Sequence, residues 1–377
     1  MRRPLLRRIA LLVGPALFVA ACSSAIVIPD LPPIGKATSR TPVWQVRLGG
    51  GGPASFLEPA VFGDHLYAVS ASGLLVRIDV RTGRELWRRD LDAKVSGGVG
   101  ASANLVVVGT TNGTVIAFGT DGTERWRARA SSEVRGAPLV HDDLVVVRTV
   151  DARIAGLDSA SGERRWMFQR ASLPLIVRGY SALSMSGPTV FAGLPGGRVA
   201  ALAALNGNMR WESAVATPRG TNEIERMSDV IGKPWVGRGE VCAVTYQGRA
   251  GCFNVENGNA LWARDMSSSS GLGGDARFLF VTDDRSRVFA LDRGDGSVVW
   301  RQDALRGRQM SAPAALGSEI AIGDVRGYVH FLSRDDGQVV GRAETDGDPI
   351  DVPPVNTPAG VVVQTRGGLL AAFATAR

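Results

Sequence analysis

Cysteine and histidine are scarce in this chain, three of each among 377 residues. His65, His141 and His330 are far apart, and no spacing among them suggests a shared metal ion. No Gly-x-Ser-x-Gly elbow, no phosphate-cradling loop ending in Gly-Lys-Ser/Thr and no His-Glu-x-x-His is found. The commonest nucleophile, nucleotide and zinc-hydrolase signatures are therefore missing. Strong positive charge is also missing. The formal charge is +7, but Arg2, Arg3, Arg7 and Arg8 supply four of those charges, and the remaining +3 is too little for a nucleic-acid surface. The apolar run from Ile9 to Ala21 is too short and too one-sided to span a bilayer.

What is present begins with turns. The chain holds 47 glycines and 19 prolines at 45% hydrophobic content, an ordinary globular composition weighted towards all-β architecture. At the start, a basic segment precedes the apolar run and small residues Ala20 and Ala21 lead to Cys22. That is a secretory signal, residues 1–21. "VAAC" resembles a bacterial lipobox, which implies that Cys22 becomes the lipid-bearing N-terminus; Ser23 in place of Asp implies onward sorting to the outer membrane. Residues 22–40 then read as an extended tether without periodicity.

The rest is a repeat. "TGRELW", "DGTERW", "SGERRW", "NGNMRW", "NGNALW" and "DGSVVW" each place Trp four residues after a turn glycine, at Trp87, Trp126, Trp166, Trp211, Trp262 and Trp300. A seventh copy, "DGQVVG", has Gly341 in the slot. Asp/Asn/Ser/Thr-Gly is a tight-turn dipeptide, and a Trp at fixed distance beyond it always lands on the same strand face. Each turn follows an alternating apolar run such as "RVFALDR", and eight such runs occur. Four strands per unit at roughly forty-residue spacing specify a β-propeller. Eight units have a third strand but only seven a fourth, so the orphan "PVWQVRL", with Trp44, is predicted to close blade eight. Residues 41–377 thus read as one eight-bladed propeller.

The pattern "V.ALD..tG..lW" resembles the repeat of pyrroloquinoline-quinone (PQQ) type propellers. That resemblance names a fold and leaves two functions open. One is a PQQ-dependent quinoprotein dehydrogenase. Such enzymes typically carry a vicinal Cys-Cys pair, which is absent here, and the strand-end acids Asp79, Asp158 and Asp292 recur as turn caps rather than forming one asymmetric site. The other is a scaffold without catalysis or cofactor, as in the propeller lipoproteins of the outer-membrane β-barrel assembly (BAM) machinery.

Asymmetry separates them. From one Trp slot to the next unit's opening turn, five connectors run 24–27 residues, but Trp166 to Gly197 takes 31 and Trp211 to Gly248 takes 37. Both extensions leave the same face of the ring, between blades three and four and between four and five. Their segments "SLPLIVRGYS" and "RGTNEIERMSDV" resemble loops of the BAM lipoprotein family that dock on the POTRA domains of BamA. The resemblance implies contacts from Leu175, Val177, Arg178 and Asp229. It departs at Ile231, where an acidic residue is expected. It also implies attachment to the outer membrane through the lipid and a role in assembling unfolded outer-membrane proteins. "TNEIERMSDV" is compatible with a short helix capped by Thr221 or Asn222. Cys242 and Cys252 flank a hairpin turn and are either bonded or two buried thiols, depending on register.

Overall fold

The computed structural model describes residues 28–33, 38–50, 52, 56–170, 182–222 and 224–375. It is all β: eight sheets, seven of them built on four consecutive antiparallel strands and the eighth on three plus one from the N-terminal part of the chain, with no helix among the described residues. Blades one to eight span residues 60–90, 95–129, 139–169, 183–214, 230–265, 272–302, 314–344 and 355–373. The first strands of successive blades touch one another round the axis, and that of blade eight returns to that of blade one. Blade eight supplies only three strands. Its outermost is Trp44–Arg47, with Trp44 opposite Ala372, as the orphan strand predicted.

The apolar alternation of the strands buries a separate core at each blade boundary. Phe191, Val199 and Trp211 of blade four, for example, pack on Val241 and Phe253 of blade five. The repeated Trp is the fastener. Trp44, Trp87, Trp126, Trp166, Trp211, Trp262 and Trp300 each donate their indole N–H to a carbonyl in the outer turn of the next blade, as Trp126 does to Ser159 at 2.8 Å. The ring then lies against that turn's glycine. Gly162 has φ +76°, and a Cβ there would stand 2.6 Å from Trp126 Cε3, so the position needs glycine for both its conformation and its space. A register shift follows the Trp position in its pairing with the third strand, for example between Gly156 and Leu157 in blade three. The extra residue aims the ring outward at its neighbour.

Seven boundaries are closed in this way, and the eighth differs. Blade eight's third strand ends at Phe373 and its fourth arrives from the N-terminus, so no outer turn exists to receive a ring from blade seven. Gly341 occupies the slot, and Arg40 fills it: a Cβ on Gly341 would meet Arg40 Nε at 2.6 Å. The Arg40 guanidinium stacks 4.1 Å from the Phe331 ring centre and forms a two-pronged ion pair with Glu319 at 2.6 and 2.9 Å. Thr38–Ser39 precede it as a fifth strand, parallel to Val339–Glu344. The strand-paired chain therefore begins inside the segment expected to be tether.

Blade five settles the cysteines. Cys242 and Cys252 are direct cross-strand partners, fully buried, and form a disulfide.

Candidate functional site

Because strands alternate in direction from axis to rim, the turns between second and third strands and the connectors between blades share one face. Both long connectors lie on it. The first covers residues 170–182, and its centre, residues 171–181, lies outside the described residues together with Leu175, Val177 and Arg178; Cys22 does too. Its two flanks are fixed. Arg170 pairs with Glu212 of blade four at 2.7 Å, and Arg198 reaches the same carboxylate at 3.1 Å. Ala182 is buried against Val352 and Phe56.

The second connector is described except for Glu223. Gly220 turns the chain, and Glu225 then folds back: its Oε2 accepts from the Thr221 amide at 2.7 Å and hydroxyl at 2.9 Å. Asn222 Oδ1 accepts in turn from the Glu225 amide at 2.9 Å. The two Thr221 bonds hold the Glu225 carboxyl below its ordinary pKa, the backbone one foremost. This is the capping chemistry expected of a helix start, yet only one turn forms, closed by Arg226 N to Asn222 O at 3.2 Å. The chain has no room to continue, because Ser228 and Asp229 are drawn into the protein at once, 2% and 6% exposed. Three carbonyls, those of Ile224, Glu225 and Met227, surround the end of the Gln247 amide on the turn of blade five at 3.2–3.3 Å, and this all-acceptor environment assigns the nitrogen to that end. The single turn therefore rests on blade five and holds Ile224, 63% exposed, at its tip. A cleft of about 470 Å³ runs beside it, lined by Thr217, Arg219, Gln247, Arg249 and Asp265.

Asp229 is an anchor. Its Oδ1 accepts from the Gly196 amide at 3.0 Å, tying the insertion to the turn of blade four. Beside it, Arg148 is half-buried and donates to the Gly193 carbonyl. Burial pulls the Arg148 pKa down to about 10, against the opposing pull of the Asp229 charge. Sequence reasoning missed Arg148 and Gln247. The cue for the anchor was the Gly196-Gly197 pair, both at positive φ, in the turn facing the insertion. Ile231 is a core residue, opposite Val244 in blade five.

The recurrent acids are caps, as their repetition implied. Asp79 Oδ1 accepts from the Arg81 and Thr82 amides and the Thr82 hydroxyl at 2.9–3.1 Å, and Asp158 makes the same set of bonds. Arg165 adds a charge-assisted bond that, with these, lowers the Asp158 pKa to about 2. The histidines stay in three separate blades, and among the described residues no cluster of three or more His, Cys, Asp or Glu is placed to hold a metal. The inner strands enclose a funnel of about 760 Å³ whose lining, among the described residues, includes six prolines and only Lys233 and His141 as potential cations. A tricarboxylate quinone such as PQQ needs clustered cationic donors, so these residues do not fit it.

Known proteins carry the same architecture. The family profile described as outer membrane protein assembly factor BamB matches residues 36–97 and 71–302. The outer membrane protein assembly factor BamB of Bordetella pertussis is 42% identical over 328 residues, 87% of this chain and 85% of that protein. The crystal structure of BamB from Moraxella catarrhalis superposes with a TM-score of 0.80 at 27% identity, covering 89% of this chain and all of that one. A quinohemoprotein alcohol dehydrogenase from Comamonas testosteroni reaches a TM-score of 0.70 at 14% identity over 93% of this chain and 79% of that one, which is likeness of fold alone. With the closed ring, the paired insertions and this extent of identity, the chain belongs to the outer membrane protein assembly factor BamB family.

Proposed function

We propose that this protein is a non-catalytic scaffold of the outer-membrane β-barrel assembly complex, held at the periplasmic face of the outer membrane by lipid on Cys22 and docking on BamA POTRA domains. The observation that carries the docking site is that the two longest connectors between blades leave neighbouring blades on one rim, where the propeller holds the described part of an otherwise irregular loop in one shape. Leu175 and Val177 supply apolar contact and Arg178 a charged anchor, a composition common at binding hot spots. Asp229 serves the same surface from beneath, by fixing the insertion on blade four. The scaffold brings BamA and unfolded outer-membrane proteins into one neighbourhood, and its gain is effective concentration rather than chemistry.

The test is a pull-down of the soluble protein, residues 23–377, with its own species' BamA POTRA region, comparing wild type with Arg178→Glu and using circular dichroism to check folding. Loss of binding in a folded Arg178→Glu protein supports both the partner and the rim. Equal binding by both proteins retains BamA and removes Arg178 from the contact. No binding by wild type overturns the reading.

A further inference from the structure

The N-terminal segment is bound to blade seven at more points than ring closure requires. Beyond Arg40 and the fifth strand, the Pro32 carbonyl accepts two bonds from Arg342 at 3.1 Å, and the Pro29 carbonyl accepts one from Arg308 at 2.6 Å. Neither arginine is a loose surface group. Arg308 is 3% exposed and pairs with fully buried Asp324 at 2.7 Å; Asp324 also accepts from His330 Nε2 at 2.9 Å. Arg342 Nε faces His330 Nδ1 at 3.4 Å. The carbonyls of Pro29 and Pro32 thus sit at the two ends of one buried polar chain inside blade seven. Pro29 also touches Gly307, in the connector from blade six to blade seven. That connector is on the same face of the ring as the two insertions, two and three blade boundaries away.

We propose that residues 28–33 and 38–40 act as an orienting strap: docked on blade seven, they make the rim between blades six and seven the part of the propeller turned to a phospholipid surface. The proposal rests on the reading that Cys22 carries lipid. Seven residue steps separate Cys22 from Pro29, and a chain that long spans at most ~25 Å. Were the strap undocked back to Trp44, the same limit would be ~80 Å, and no rim would be preferred. Charge agrees with the assignment. Arg285, Arg306 and Arg326 are exposed on three adjoining turns there, joined by the backbone bonds Gly307 N to Arg285 O and Val325 N to Arg308 O. The neighbouring carboxylates of Asp283, Asp303 and Asp324 are engaged by Arg287, Arg301 and Arg308, while Asp30 and Asp284 remain as acidic neighbours. Anionic phospholipid headgroups are the complementary surface.

The experiment uses the acylated mature protein in vesicles of phosphatidylethanolamine and phosphatidylglycerol carrying a headgroup quencher. One fluorophore is placed through Ala304→Cys, on the blade six–seven connector, and another through Leu205→Cys, on an outer turn of blade four. Several-fold stronger quenching from position 304, lost when Gly341→Trp refills the slot and expels Arg40, supports the strap. Glu319→Ala is a second route to release. In both, tryptic cleavage after Arg40 should become fast while the propeller stays intact. Equal quenching at the two positions, or a preference that survives release, overturns the proposal while leaving the anchor standing. An unacylated Cys22 by intact mass overturns both, so the two failures are distinct.

Discussion

The boundary between blades six and seven and the boundary between seven and eight solve one packing problem with different chemistry. At the first, Trp300 lays its ring on Gly337 and donates to the Arg334 carbonyl at 2.8 Å, both within one outer turn. At the second no such turn exists, and a tryptophan at 341 would have an unpaired indole N–H and a ring without a floor. Glycine there admits an arginine delivered by a remote part of the chain, whose charge is met by Glu319 and whose flat face is met by Phe331. A repeat can therefore lose its signature residue for a topological reason, and the place where it does so marks where the chain ends meet.

Removing each fastener tests that contrast. Trp300→Ala deletes a ring only 8% exposed together with its hydrogen bond, and should cost about 3–4 kcal/mol by urea denaturation, in the range for large-to-small aromatic changes. A loss below 1 kcal/mol would mean that the rings decorate the boundaries rather than close them. Glu319→Ala should cost less, about 2 kcal/mol, short of the ~3–5 for breaking a fully buried pair because the Arg40 side chain keeps 15% of its exposure. A cost equal to that of Trp300→Ala would show the two fasteners to be equivalent.

Acid probes the first boundary by a route independent of its ring. Burial lowers the His330 pKa, more than the Asp324 contact raises it, with Arg342 and Arg308 adding to the depression. His330 is therefore neutral in the folded protein, its Nε2–H donating to Asp324. Below pH ~6.5 the unfolded chain binds a proton that the folded one refuses, so stability falls as pH drops through that value. The Asp324 carboxyl, held low chiefly by the His330 bond against desolvation, adds loss at more acidic pH, below its unfolded value. Urea midpoints measured from pH 7.5 to pH 5 should decline in the wild type and decline less steeply in His330→Gln. His330 pairs with Ile322 and shares the strand face of Leu332, both in the core around Trp300, so this pH dependence belongs to the boundary between blades six and seven.

How much of this was legible in the sequence depended on whether the signal was periodic. The turn glycine and its Trp recur in register, so the blade count, the closing strand at Trp44 and the position of both insertions could be read directly. The missing ring at Gly341 was visible too, but its replacement lies about three hundred residues away and belongs to no repeat, so Arg40 read as tether. Asp229 carried a different ambiguity. A lone Asp at the end of an insertion has the same letter whether it faces a partner or holds a turn amide, and only its burial and its bond to Gly196 decide. The cysteines turned on one residue of register, which no pattern in "YQGR" fixes.

The second insertion should respond unlike either boundary. Thr221, Asn222 and Glu225 close a turn on the surface, and nothing beneath depends on the Glu225 carboxylate, because the connector is held separately by Asp229 and by Gln247. Glu225→Ala should leave the melting temperature within error of wild type. Hydrogen exchange should nevertheless accelerate at the Thr221 amide, whose acceptor is gone, while the Gly196 amide stays protected. If Gly196 loses protection as well, the turn and its anchor form one cooperative unit, and the insertion is then as much a part of the scaffold as the tryptophan boundaries are.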